Sequence, residues 1–120
     1  MAEMQTYQLI IHLKRPVNIV IGALGRQALA EGYYVYTGSA RRNIDKRVAR
    51  HCRKRKTKRW HIDYITSHPA ARVVETRLFS EPECQVNQAT AGEIVIAGLG
   101  ASDCRAGCGA HLKYLGPDRL

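Results

Sequence analysis

The chain has no long hydrophobic run. Nothing in it approaches the roughly 18 continuous apolar residues of a membrane helix, which excludes a spanning helix. Cysteine is scarce, with Cys52, Cys84, Cys104 and Cys108 the only four in 120 residues. A chain of this length buries a core without disulfide or metal staples. The opening Met1-Ala2-Glu3-Met4-Gln5 lacks the basic start and apolar core of a signal peptide, so a cytoplasmic location without disulfides is expected. Repeats, low-complexity tracts and internal linkers are also missing, so one domain over 1–120 is expected. What remains, 45% hydrophobic and 24% charged, is an ordinary globular composition.

Acid is missing from one place in particular. Residues 41–59 hold eleven of the 19 Lys and Arg, and Asp45 is the only acid among them. The rest of the chain is near neutral, so the net charge of +9 is local. A localised patch points to a polyanion. The bland alternative is a solvated helix face. A membrane surface fits poorly, because the segment lacks the bulky apolar face that inserts into one. The candidate contacts are Arg41, Arg42, Lys46, Arg50, Arg53, Lys54, Arg55, Lys56, Lys58 and Arg59.

Apolar patterning predicts a mixed α/β (α+β) fold. Residues 7–13, 17–21 and 33–37 read as strands, and their short connections suggest an antiparallel meander. Residues 24–31 read as a short strand or loop. Gly38 and Ser39 are expected to stop the third strand. Asn43 suits the cap of a helix starting at Ile44, in which Ile44, Val48 and Cys52 make an apolar stripe. Arg47 and His51 share one edge of that helix. Residues 53–59 are expected as an exposed loop and 60–65 as a short helix. Further on, 71–79 is a strand, Pro82 opens a helix, 93–97 is an edge strand or extended loop, and 112–115 is a last strand.

The stretch Tyr33 to Thr37 therefore delivers a phenol, Tyr36, to the edge of a positive segment. Phosphodiester hydrolysis needs a base for water and cations for the developing charge, usually with a divalent metal. Tyr36 is a base or positioner if nearby Arg and metal charge lowers its phenol. Arg47 can present a bidentate guanidinium to phosphate. A carboxylate with room for waters is the usual Mg²⁺ anchor, and Glu83 and Asp63 are the candidates. His61 and Asp63 form a compact polar pair between Trp60 and Tyr64. Buried structural groups are the alternative for that pair, and core packing is the expectation for Trp60 rather than base stacking. Asn87 lies four residues from Glu83, on the same face of its helix.

Tyr36-Thr37-Gly38, followed by Asn43-Ile44, Arg47 and His51, resembles the second motif and helix of the GIY-YIG nuclease superfamily. Tyr7 matches the tyrosine of the first motif, with Gln5-Thr6-Tyr7 in place of Gly-Ile-Tyr, and Glu83 matches the downstream helical glutamate. The resemblance covers nearly the whole chain. It is nearest to a small branch with Trp-His-Ile-Asp-Tyr, here 60–64, and Ser102-Asp103-Cys104…Cys108…His111-Leu112. It implies a small sandwich with a three-stranded antiparallel core sheet, extra strands and flanking helices. It also implies one Mg²⁺ or Mn²⁺ on Glu83, a Tyr or His near the attacking water (Tyr7, Tyr36 or His51), and Arg47 on the phosphate. Gly38, Asn43, His61, Asp63 and Asn87 are the expected supporting residues. The expected partner is DNA, structured or damaged, rather than RNA. The alternatives are a nucleic-acid-binding module without turnover, or a zinc-stabilised interaction domain.

The zinc alternative rests on Cys104, Cys108 and His111, which supply plausible ligand chemistry. A fourth ligand from His61 or Cys52 is then needed. Small buried thiols in a glycine-rich turn are the competing reading.

Overall fold

Strand β1 (Thr6–Leu13) is the axis of the fold. Tyr7, Leu9, Ile11 and Leu13 share one face by the two-residue period of a strand, and all four lie in the main core. Thr6, Gln8 and Ile10 on the other face are buried too. That double burial is why the run is nearly continuous instead of alternating. The structure, a computed structural model, describes residues 3–40, 42–99 and 108–118.

β1 pairs antiparallel with β4 (Gly32–Ser39), placing Tyr7 opposite Gly38 and Leu9 opposite Tyr36. On its other side it pairs with β5 (Ala71–Phe79). β6 (Leu112–Gly116) joins β4, and the four-stranded sheet runs β5-β1-β4-β6. β2 (Val17–Val20) and β3 (Arg26–Leu29) form a separate two-stranded sheet around a 3-10 turn at Gly22–Leu24. The expected meander is thus corrected: 17–21 does not stand between the strands of Tyr7 and Tyr36. Val17 and Ile19 are buried while Asn18 and Val20 are exposed, so β2 has one apolar face. A central strand needs two. The hairpin is an insertion that lays Val17, Ile19 and Leu29 on the core.

Helices flank the sheet, as expected. α1 (Ile44–Cys52) and α2 (His61–Thr66) pack on the Tyr7 face, where Ile44, Val48, Ile62 and Ile65 meet the core. α3 (Glu83–Ala89) serves the opposite face, where Gln8 donates its amide to Thr90 just past the helix. The predicted α1 stripe needs one change. Cys52 is exposed, and His51 takes the buried place after Ile44 and Val48. Spacings of four and then three follow the 3.6-residue turn better than two fours.

Two turn residues also act differently than predicted. Asn43 does cap α1, but through its backbone: its carbonyl accepts from the Arg47 N–H at 3.0 Å. Its side chain makes no capping hydrogen bond, because the residue sits in the left-handed region at φ 53°, which asparagine tolerates. Of the expected stop at Gly38 and Ser39, only the second holds: β4 runs through Gly38 and ends at Ser39. Residues 93–97 are an extended loop, tied to β6 by a bridge between Glu93 and Tyr114. Among the described residues, no helix is long and apolar enough to cross a membrane.

Candidate active site at the Tyr7 end of the sheet

The site starts from a close approach in the sheet. A Cβ on Gly38 would lie 2.5 Å from the Tyr7 hydroxyl oxygen and 2.6 Å from Cζ. Glycine opposite Tyr7 is therefore what lets the phenol lie flat across β4. Tyr36, two residues back on the same strand, shares that face by the strand period. The two rings are 6.4 Å apart.

α1 closes over this pair. The Tyr7 hydroxyl and His51 Nε2 are 2.7 Å apart, and both residues are buried, at 2% and 1% exposure. His51 Nδ1 faces the Asp63 carboxylate at 3.7 Å, beyond hydrogen-bond reach but well within Coulombic range. Burial holds the imidazole near pKa 4, against the pull of Asp63 and with help from Lys56, Arg50 and Arg47. The ring is therefore neutral near pH 7. A proton on Nδ1 facing the carboxylate leaves Nε2 to accept from the Tyr7 hydroxyl.

Asp63 anchors the whole corner. It is fully buried and takes a bidentate pair from Arg50, at 3.1 and 2.9 Å. It also accepts the backbone N–H groups of Arg59 and Trp60, at 2.8 and 3.1 Å. Burial opposes its ionisation, yet these donors outweigh burial and hold the carboxyl below its ordinary value. Asp63 is thus a positioning and capping group with its acceptor sites taken, not a free metal anchor.

Arg47 donates to the Ser39 carbonyl at 3.1 Å and stacks over Trp60 at 4.8 Å. Arg50 and Arg59 lie 4.6 and 5.3 Å from the same ring centre. Trp60 is half-buried and packed on the core, so the expected packing role holds, with a cationic collar around it. Burial raises the Tyr7 and Tyr36 phenols; Arg47 opposes in both, and Glu83 and Asp63 add to the rise. At Tyr36 Arg47 acts in the lowering direction expected of it, but from the protein's own groups burial outweighs it.

Glu83 arrives from the first turn of α3, close enough for its charge to reach both phenols. One carboxylate oxygen contacts His111 Nδ1, and the side chain keeps 23% of its exposure. A single, partly open carboxylate whose charge reaches both phenols fits an ion such as Mg²⁺, which binds through few protein ligands and many waters. The structure thus gathers Tyr7, Tyr36, Arg47, His51, Glu83 and Asp63 from β1, β4, α1, α3 and α2.

Two expected supports fall elsewhere. His61 packs by the Gly22 turn beside Tyr64, because residues two apart on a helix face different ways. Asn87 is buried and donates to the Ala110 carbonyl at 3.0 Å, tying α3 to the approach of β6.

The basic segment divides in two. Arg50 is held by Asp63 and by the Thr57 carbonyl. Lys54 donates to the His68 and Ala71 carbonyls. Lys56 donates to the His51 carbonyl and the Thr66 hydroxyl, and burial lowers its ammonium to about 8. These three staple the 53–60 loop to the fold. Arg42, Lys46, Arg53, Arg55, Lys58 and Arg59 are exposed, which leaves them as the open positive surface. Arg41 lies outside the described residues.

The Cys/His expectation is also redrawn. Cys108 and His111 do come together, but the third member is Cys84 of α3. Cys52 is exposed on α1 and His61 is at the Gly22 turn, so neither completes this cluster. Cys104 lies outside the described residues.

Fold and geometry together define a small α/β domain with a tyrosine–histidine–carboxylate corner on an antiparallel sheet. The chain belongs to the family described as domain of unknown function DUF123, whose profile matches residues 6–119. Comparison with curated proteins and with solved structures finds no match.

Proposed function

We propose that the chain is a metal-dependent endonuclease of the GIY-YIG type, hydrolysing phosphodiesters in structured or damaged DNA. The observation that carries this reading is the 2.7 Å contact of the Tyr7 hydroxyl with a neutral His51, beside Arg47 and Glu83. The raised phenol argues against a free phenolate as base. A neutral Tyr7 instead relays a proton. Its oxygen accepts one from the attacking water while its own hydroxyl proton passes to His51 Nε2. The imidazolium so formed is stabilised by the Asp63 carboxylate, which Arg50 keeps ionised and in place. Arg47 neutralises charge on the phosphate, and Tyr36 walls the site. Mg²⁺ or Mn²⁺ held by Glu83 would supply further neutralisation of the developing charge. The exposed cations of 42–59 supply affinity for the backbone.

The test is incubation with Mg²⁺ or Mn²⁺ and a panel of branched, nicked, single-stranded and duplex DNA. Cleavage of at least one substrate, abolished by chelator, is the expected result. An intact panel removes catalysis from the account. One observation favours a second reading, a binding module without turnover: Tyr7 and His51 are nearly sealed from solvent. That reading predicts salt-sensitive DNA binding indifferent to chelator.

A further inference from the structure

The cluster of Cys84, Cys108 and His111 does not belong to the tyrosine corner. Its three ligand atoms lie within 4.8 Å of one another. Ligands of one tetrahedral zinc ion stand about 3.3–3.8 Å apart, given bonds of roughly 2.0–2.3 Å, so a small side-chain movement closes the set. The members come from distant parts of the chain: Cys84 from the first turn of α3, Cys108 and His111 from the approach to β6. Two half-buried thiols and a buried imidazole are soft to borderline donors. That set selects zinc over magnesium or calcium.

The surroundings are arranged as a metal's outer shell would be. Ligating histidines usually give their second ring nitrogen to a carboxylate, which fixes the ring. Here His111 Nδ1 contacts Glu83. The amide of Gln88 lies 3.6 Å from the Cys108 sulfur, in place to donate to a thiolate. Simple packing of small thiols requires neither contact.

We propose that Cys84, Cys108 and His111 bind a thiophilic divalent cation, zinc foremost, clamping the first turn of α3 to the approach of β6. His111 Nε2 would be its ring ligand, since Nδ1 is turned to Glu83. Each thiol gives up its proton to solvent as its sulfur binds. The fourth position is left to water or a further donor. The site stands whether or not the tyrosine corner is catalytic.

The experiment is elemental analysis of the full chain, purified under reducing conditions, with Zn²⁺ and then Co²⁺ as probes. The expected result is about one zinc per chain and, with Co²⁺, a thiolate-to-metal charge-transfer band. Cys84→Ser and Cys108→Ser each lose the stoichiometric ion, and Cys52→Ser keeps it. Glu83→Gln retains both thiols and weakens zinc about 10- to 100-fold. Should the serine variants fail to fold, zinc protection of the wild-type thiols from alkylation decides instead. Absence of zinc and of protection overturns the proposal. So does full zinc in the Cys84→Ser chain, or a Cys84–Cys108 disulfide by mass under non-reducing conditions.

Discussion

Glu83 stands between two regions built on different principles. On one side, phenols, an imidazole and guanidinium groups are joined mainly by hydrogen bonds, with His51 Nδ1 held toward Asp63 at 3.7 Å. Tyr7 bonds His51, and Asp63 accepts from Arg50, Arg59 and Trp60. On the other side, two thiols and an imidazole converge with an amide and a carboxylate behind them. The first region is set by hydrogen bonds and needs no ion to hold its shape. The second has the donor set of an ion site. Consecutive residues, Glu83 and Cys84, link them through one helical turn, so α3 can position a carboxylate for one region only as firmly as it is held by the other.

The largest effect is expected where the tyrosine corner is damaged without disturbing its shape. Tyr7→Phe keeps the ring and removes the proton path. Cleavage in single-turnover assays is expected to fall about 10²-fold or more, with DNA affinity unchanged. An unaltered rate makes Tyr7 a packing residue. Next in size, Asp63→Ala strands the Arg50 guanidinium and two backbone N–H groups. Its expected cost is about 3–5 kcal/mol, read from the urea midpoint. A loss under about 1 kcal/mol means the corner is solvated rather than sealed.

Protonation of His51 gives the next effect in size. His51 titrates near 4 in the fold against an ordinary 6.5. Between those values the unfolded chain binds a proton that the folded chain refuses, so stability rises with pH there and falls as the solution is acidified. The expected loss is on the order of 3 kcal/mol from pH 6.5 to 4. It should be flattened in His51→Gln, as followed by denaturant titration at each pH. Asp63 acts in the same sense lower down. Its carboxyl is held below its ordinary 3.8, so its contribution is lost only as the pH falls through that lower range.

The smallest effect separates the open cations from the stapling ones. Replacing Arg53, Arg55 or Lys58 with alanine should flatten the salt dependence of DNA binding by roughly one unit of slope per lost phosphate contact. The fold should be untouched. Lys56→Ala should instead loosen the 53–60 loop, visible as faster amide exchange at His51 and Thr66.

Much of the tyrosine corner was legible in the sequence, because its chemistry follows local periods. Tyr36 and Gly38 share a strand face, and Arg47 and His51 share a helix edge. Asp63 was visible as a candidate metal carboxylate paired with His61; that it instead accepts four hydrogen bonds depends on α1 and α2 meeting. Arg50, Lys54 and Lys56 read as surface charge because a sequence does not show which carbonyls lie within reach. The separate β2–β3 hairpin had a signal in the alternation of Val17, Asn18 and Ile19, which marks a one-faced strand. Cys84 gave no spacing signal toward Cys108 and His111. Its position beside Glu83, at a helix start that must return to the sheet, was the available hint.

The central claim is that Glu83 serves a hydrolytic site, and paired cleavage and binding assays on wild type and Glu83→Gln test it most directly. Both proteins should be measured on a branched DNA with Mn²⁺, under zinc concentrations that saturate each. The account predicts loss of cleavage by about 10²-fold or more with DNA affinity nearly unchanged. Undiminished cleavage by Glu83→Gln, or no cleavage by the wild type, contradicts it.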